Sequence, residues 1–540
     1  MMTLSDYFTA AGIQEVEDWT KSVDIKFPDN TDPYPHQISG LSQAAYHTRF
    51  GLYDEQGCGK TLISHGLTTW YASMDNKCIV IMDPHLLSQY YNEFHEVFEG
   101  IKPYIKMEIY RGVPKKRTEM RERWETEGFP DIILMTYNLF RMHVHTNRQM
   151  EEGFPRRLMW KYLKDNGYSV LVADEATKLK NPSSDTHKSC YQFLGKEGDS
   201  ALLIMTGTPS ENVLVDLYGL IRLVNPRAYG SKRNFERLHV IYNPYSNFPQ
   251  IEGYKNLDLL STNLYAKGRR VEKKQVLKHL PEKTYTEYPV ELDHKHMALY
   301  KKLAKERLLE LDDRIIDAEL EQALRQKMAE IVYNPHLYSD NPIINEPLNM
   351  LSQLIESIGP TTHKIMIYIY RKETANIVMK EFEDYNPVLV NSTSSSKREQ
   401  NIERFKNDAT CRLFIANYMS AGTGLNFQSI CSHMIFFEPI GVPGKFFQAT
   451  DRIHRGVMKA AANYYVVTPM NTVSVSTRNN MISKHMTNQQ VTRDTSTVTA
   501  SIMGKEGLVG SFKDIKGLEQ EYENLSDDEV KDVNFGGGFV

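Results

Sequence analysis

Short runs of four or five apolar residues recur along the chain, spaced widely enough to leave room for a helix between them. The first set is Cys78-Ile79-Val80-Ile81-Met82, Ile132-Ile133-Leu134-Met135, Ser169-Val170-Leu171-Val172-Ala173 and Leu202-Leu203-Ile204-Met205. A run without a polar break suits a strand buried on both faces. Strands alternating with helices pair in parallel, so the pattern predicts an α/β unit. A second set predicts another such unit: Ile365 to Tyr370, Val388-Leu389-Val390, Leu413 to Ala416, Met434 to Phe437 and Tyr464 to Val467. Between the two sets, apolar positions fall at helical spacing, among them Leu299, Leu303, Leu308, Leu311, Ile315, Leu320, Leu324, Met328 and Ile331. They predict a helical insertion with a core-facing stripe. Residues 1–32 read as one amphipathic helix and a loop. Near residue 490 the pattern fades into Ser and Thr, then an acidic run from Glu519 to Asp532 and a glycine-rich end, which reads as a flexible acidic tail. The expected divisions are 1–32, a first sheet domain at 33–282, an insertion and linker at 283–360, a second sheet domain at 361–490, and a tail at 491–540.

Composition changes this picture little. The 540 residues are 41% hydrophobic and 24% charged, as in folded proteins, and the length allows about three or four domain-sized units. A net charge of −4, from 64 basic and 68 acidic residues, argues against a polycation but leaves room for a local basic cleft. The five cysteines (58, 78, 190, 411 and 431) form neither C-x-x-C nor a zinc-spaced set. That usage points to a reducing compartment. His143 and His145 have no neighbours that would complete a metal site and read as surface residues. Pro114-Lys115-Lys116-Arg117 reads as a solvated basic turn. No apolar run approaches the roughly 20 residues of a membrane helix, and the N-terminus lacks a signal-peptide pattern, so no membrane association is expected.

The chemistry collects at the ends of the apolar runs. The first set is followed by Asp83-Pro84, Thr136-Tyr137, Asp174-Glu175 and Thr206-Gly207-Thr208. In an open parallel sheet the ligand crevice lies beyond the carboxyl ends of the strands, so these groups should share one edge. Upstream, Gly51-Leu52-Tyr53 leads into Asp54-Glu55-Gln56-Gly57-Cys58-Gly59-Lys60-Thr61 and a helix-compatible segment. Strand, small-residue turn, Lys-Thr, helix is the layout of a phosphate-binding loop. Gly57 and Gly59 let backbone amides close around phosphates, Lys60 reaches the outer phosphates, and the Thr61 hydroxyl helps hold Mg²⁺. The strict pattern wants glycine at 54, where Asp54 stands; on that pattern alone a surface lysine in a glycine turn explains the stretch equally well.

Asp174-Glu175 strengthens the nucleotide reading. After a buried strand, the first carboxylate suits Mg²⁺ and the second suits an attacking water. Gln37, in Tyr34-Pro35-His36-Gln37, offers a donor and an acceptor to an adenine edge. Residues 267–283 carry Lys267, Arg269, Arg270, Lys273, Lys274, Lys278 and Lys283, either a solvated helix or a contact to a phosphate backbone. In the second unit, Gln448, Arg452 and Arg455 would share one face of a helix, and paired guanidiniums suit a γ-phosphate. That unit has no Gly-Lys-Thr loop and should not bind nucleotide alone.

Taken in order, this set resembles the Swi/Snf-type branch of the superfamily-two helicase-like ATPases, from about Tyr34 to Val473. The family loop commonly reads D-E-M-G-L-G-K-T, so Asp54 is expected there. Ile81 to Tyr90 resembles motif Ia and Thr136-Tyr137 motif Ib. Asp174-Glu175-Ala176-Thr177-Lys178-Leu179-Lys180-Asn181 resembles motif II, and Thr206-Gly207-Thr208-Pro209 motif III. Arg269-Arg270 to Leu280-Pro281-Glu282-Lys283 matches the connector R-R-x-K…L-P-x-K, Ser420 to Phe427 motif V, and Gln448 to Arg455 motif VI. The chain departs from the pattern at Thr177, where the family usually has His, at Ala421, at Pro439 to Pro443, and at Gly456-Val457.

The resemblance implies two tandem RecA-like domains with ATP at their interface, Mg²⁺ as the metal, and a motor that translocates along DNA, most naturally duplex. Arg452 and Arg455 would complete the site when the domains close. Thr136, Thr206, Thr423, Arg269, Arg270, Lys273 and Lys274 would contact the nucleic-acid backbone. Two alternatives stay open: a helicase that separates or branch-migrates strands of DNA or RNA, and a nucleic-acid-binding scaffold switched by ATP. The tail is a candidate site for a protein partner. The expected setting is the cytoplasm of a bacterial or virus-infected cell, at the nucleoid, or a eukaryotic nucleus.

Overall fold

The computed structural model describes residues 33–98, 105–144, 157–196, 198–245, 249–277, 280–281, 283–311, 318–391, 395–418, 425–456, 458 and 460–493. The expectations for residues 1–32, for the acidic tail, and for Thr423 in motif V lie outside these. Two units form. One holds the described residues up to Leu277 together with Asn488 to Arg493. The other holds those from Leu280 to Thr487.

The first unit is built on a seven-stranded sheet. Its strands are β1 (Arg49–Leu52), β2 (Lys77–Met82), β3 (Met107–Ile109), β4 (Ile132–Thr136), β5 (Tyr168–Asp174), β6 (Ala201–Met205) and β7 (Gly268–Arg269). They lie in the order β7-β1-β6-β5-β2-β4-β3, and every pairing is parallel. The uninterrupted apolar runs follow from this arrangement. Ile79 and Ile81 join the core on one face of the sheet, Cys78, Val80 and Met82 the core on the other, and all five are fully buried. Helices α1 (Pro35–Tyr46) and α2 (Lys60–Ser73) flank β1 in sequence and pack with Leu41, Ile63 and Leu67 in the second of these cores.

The second unit has a six-stranded, wholly parallel sheet. Its strands are β8 (Lys283–Val290), β9 (Lys364–Ile369), β10 (Val388–Val390), β11 (Leu413–Asn417), β12 (Cys431–Phe436) and β13 (Ala462–Pro469), in the order β8-β13-β12-β9-β11-β10. The five expected strands are present. The sixth, β8, falls in the stretch assigned to a helical insertion, and it pairs along its whole length with β13. It lies at the sheet edge, buries only Tyr285 and Val290, and contains Pro289, which an edge strand tolerates. An apolar-run criterion therefore passes over it. Helices His294–Leu311 and Ala318–Tyr333 bury Leu299, Leu303, Met328 and Ile331 in one core with Ile365, Ile367 and Ile435 of the sheet. Leu299, Leu303, Leu324, Met328 and Ile331 of the predicted stripe thus face this sheet as a layer of the second unit; the side chains of Leu308, Leu311, Ile315 and Leu320 lie outside what the structure describes.

Among the described residues, no helix is long and apolar enough to cross a membrane, all five cysteines are unpaired and buried, and no group of three or more His, Cys, Asp or Glu side chains could hold a metal unaided. His143 is exposed. Pro114 to Arg117, read as a turn, starts a helix running to Glu127, with proline in the first turn, where its missing N–H is not needed.

Candidate nucleotide site

The phosphate loop leaves β1 at Tyr53 and enters α2 at Lys60. Gly57 and Gly59 take positive φ values of 89° and 78°, which side chains rarely adopt, and Gly59 caps α2 in the left-handed conformation. Lys60 begins the helix. Its Nζ donates to the carbonyls of Asp54 at 2.7 Å and Glu55 at 3.1 Å, which keeps the ammonium inside the loop. Thr61 follows, half-buried. The helix N-terminus adds its partial positive charge to that of Lys60.

The Tyr34–Gln37 segment lies against this loop. Gln37 Oε1 accepts from the Tyr34 N–H at 2.9 Å. His36 Nε2 is 2.8 Å from the Cys58 carbonyl, and burial lowers the His36 pKa. A Cβ at Gly59 would come within 2.0 Å of Gln37 Nε2, so the amide rests on the loop backbone. Gly59→Ala thus meets both a disfavoured φ and a clash. We expect about 1–3 kcal/mol of strain and weakened ATP binding, read by titration with a fluorescent ATP analogue alongside a thermal melt. Neighbouring His36 carries no sequence signal beyond its place beside Gln37.

The acidic edge lies across β6, which pairs with both β1 and β5. Asp174 ends β5, and Glu175 turns the chain with φ of 49°. The Asp174 carbonyl accepts from Tyr137 Oη. Burial, then the charges of Glu175 and Asp83, raise the Asp174 carboxyl pKa, while Lys60 opposes the rise. Glu175 Oε1 is 3.4 Å from Gln56 Nε2, and its Oε2 is buried without a hydrogen-bond partner. Gln56 is a site residue that the sequence reading missed; its amide links the phosphate loop to the acidic pair. Lys178 of motif II pairs with Asp83, tying together the ends of two neighbouring strands.

Several residues expected at a nucleic-acid backbone are otherwise engaged. Thr206 is 1% exposed, with its hydroxyl accepting from Thr208 N–H at 3.2 Å; it cannot present that hydroxyl to a duplex. Arg269 pairs with Asp54. Arg270 donates to the Tyr53 and Gly207 carbonyls at 3.4 and 3.2 Å. Lys273 is buried and pairs with Glu55 at 3.6 Å. Neither alternative for this stretch, solvated helix or phosphate contact, describes these three, because carboxylates and carbonyls of their own unit hold them. Lys274, paired with Glu272 at 3.6 Å, keeps a side chain 59% exposed. Thr136 caps the helix after β4, accepting from Leu139 N–H at 3.3 Å, and remains partly open.

In the second unit, the expected shared helical face is not formed. The helix there runs from Pro443 to Thr450, and Asp451 caps it. Arg452 and Arg455 lie in the turn that follows, before Gly456 at φ of 52°. Lys283 Nζ binds Asp451 at 3.0 Å, one ionic hold on this turn. Arg452 is buried, donating to the Gln448 carbonyl at 3.0 Å and reaching the Leu425 carbonyl at 3.5 Å. Arg455 donates to Asn426 Oδ1 at 3.0 Å and is more open. The turn separates the two guanidiniums in role as well as in depth.

Two tandem parallel-sheet units, the first with a phosphate loop and an acidic pair at one sheet edge, define a helicase-like core of RecA-like domains. Residues 46–336 match the model of the SNF2-related domain and residues 346–457 that of the helicase conserved C-terminal domain. The chain belongs to the SNF2-related family, within superfamily two. It is 24% identical over 491 residues to an uncharacterized ATP-dependent helicase of Mycoplasma pneumoniae, covering 87% of this chain and 44% of that protein. It is 23% identical to the probable ATP-dependent DNA helicase CHR12 of Arabidopsis thaliana, covering 78% and 38%. The solved Sulfolobus solfataricus SWI2/SNF2 ATPase core in complex with dsDNA aligns with a TM-score of 0.36 and 18% identity, over 87% of this chain and 97% of that one. The chain spans less than half the length of these curated relatives.

Proposed function

We propose that the chain hydrolyses ATP and couples that reaction to movement along DNA, with duplex as the preferred track. One observation carries the hydrolysis: Glu175 Oε2 is a buried acceptor without a partner, on an acidic pair whose Asp174 feels the charge of Lys60. A buried polar atom of this kind costs stability, and an attacking water would satisfy it. Gln37 takes the adenine edge. Lys60 and the amides around Gly57 and Gly59 take the phosphates. Thr61 and Asp174 fit a Mg²⁺ ion, which uses one or two carboxylates beside phosphate oxygens; bound there, it would neutralise phosphate charge. Arg455, the more open of the two motif VI arginines, is assigned to the γ-phosphate, with Arg452 shaping the turn that presents it.

The DNA reading rests on family membership and on relatives named as DNA helicases. Thr136 and Lys274 stay as candidate backbone contacts, together with Thr423. Backbone contact gives little base specificity and strong salt dependence. The test is ATP hydrolysis with duplex DNA, single-stranded DNA and RNA as stimulants, at two salt concentrations. Duplex should stimulate most and lose its effect at high salt. Stimulation by RNA alone would overturn the proposal, and preference for forked or single-stranded DNA would favour strand separation.

A further inference from the structure

Arg269, Arg270 and Lys273 of the basic connector, held within their own unit, are built into the phosphate loop. Residues 268 and 269 extend the sheet beside β1, in register with Gly51 and Leu52. The pairing continues past the strand: Tyr53 N–H donates to the Arg269 carbonyl at 2.9 Å and Glu55 N–H to the Val271 carbonyl at 2.8 Å. Side chains then cross-link the two segments. Asp54, fully buried, takes the Arg269 guanidinium at 2.5 Å. Glu55 Oε2 accepts from the Lys273 N–H at 2.8 Å, and its Oε1 faces Lys273 Nζ at 3.6 Å. Arg270 reaches the carbonyl of Gly207 in motif III. A Cβ on Gly40 would fall 2.5 Å from Arg269 Nη2, so the helix carrying Gln37 packs directly on the same guanidinium.

The carbonyls that hold Lys60 belong to Asp54 and Glu55, the two residues whose side chains this segment grips. We infer that Arg269 and Lys273 are positioning residues for ATP: through Asp54 and Glu55 they fix the backbone that aims Lys60 and the phosphate-binding amides. Removing one partner of a buried ion pair leaves the other uncompensated, and a preorganised loop spends less affinity on ordering. The acidic pair opening the loop is then one half of a two-point clamp whose other half lies more than 200 residues later, at Arg269 and Lys273.

The inference rests on ATP binding at this loop, so the experiment reads binding, not turnover. A fluorescent ATP analogue is titrated into the full chain and into Glu55→Gln, Lys273→Gln, Lys273→Arg and the double variant Glu55→Gln with Lys273→Gln. Thermal melts and the affinity for a short DNA duplex are measured on each. Each neutralising single variant should weaken analogue binding about tenfold while leaving duplex affinity unchanged. The double should be no weaker than either single, because contacting residues do not add, and Lys273→Arg should retain most of the binding. Unchanged analogue binding in both singles, additive losses in the double, or a loss confined to duplex affinity would each overturn the clamp. Failure of the unmodified chain to bind the analogue would instead overturn the nucleotide reading beneath it.

Discussion

Glu175→Gln should leave ATP binding in place while lowering kcat for its hydrolysis by about 10²–10⁴-fold. The glutamine retains the size of the side chain and one oxygen, so the contact with Gln56 Nε2 at 3.4 Å survives in one amide orientation. What is lost is the carboxylate proposed to draw a proton from a water. Its Oε2 is already buried and unpartnered, and Glu175 is held in a left-handed conformation at φ of 49°. Non-glycine residues adopt such a conformation when the surroundings impose it. Lys60, Gly57 and Gly59 are untouched by the change, so the KM for ATP should move little compared with kcat. Steady-state hydrolysis with and without duplex, beside analogue binding, separates the two. Near-normal turnover would remove Glu175 from the chemistry.

The central strands were legible because they are buried on both faces. Ile132 to Met135 and Val170 to Ala173 are apolar without interruption for that reason, and the acidic pair stands out because it ends one such run. Edge elements were not legible in this way. Lys283 to Val290 buries only Tyr285 and Val290 and has no apolar run, and Gly268-Arg269 is too short to show a period. Partnership was the larger blind spot. In sequence, Arg269 and Lys273 read as members of a basic run that is solvated or meets a nucleic-acid backbone; their carboxylates lie more than 200 residues earlier, and only the parallel pairing with β1 brings them together. Thr206 has the composition of a hydrogen-bonding contact but sits beneath the phosphate loop, where Gly207 leaves so little room that a Cβ would meet Gln56 at 2.8 Å. Asp54, the residue that broke the strict loop pattern, is the one most completely buried in the clamp. Its departure from glycine is explained by Arg269, not by the nucleotide.

Asp174→Asn should abolish hydrolysis and at the same time stabilise the fold. The loss follows from the carboxylate's place at the end of β5, where with Thr61 it would hold Mg²⁺; removing metal-assisted charge stabilisation lowers turnover by on the order of 10³-fold or more. The gain follows from its protonation. Burial, Glu175 and Asp83 raise the Asp174 pKa above the ordinary carboxylate value, with Lys60 only partly offsetting them. A carboxyl with a raised folded-state pKa binds its proton more tightly in the native chain. Its ionised form therefore destabilises the fold increasingly as pH rises through the unfolded-state value, and fully once pH passes the folded-state value. Asparagine has no such cost. Near pH 8 the variant should melt higher than the parent by roughly 2–4 °C per kcal/mol relieved, and the difference should shrink as pH falls toward about 4, where the parent's carboxyl is itself neutral. Melts must be run without nucleotide or Mg²⁺, because a bound ion would stabilise only the parent. A variant that melts lower than the parent at high pH, or by the same margin at both pH values, would show that the carboxylate is not held against its charge. Asp174 would then no longer be a residue that the fold retains at a cost.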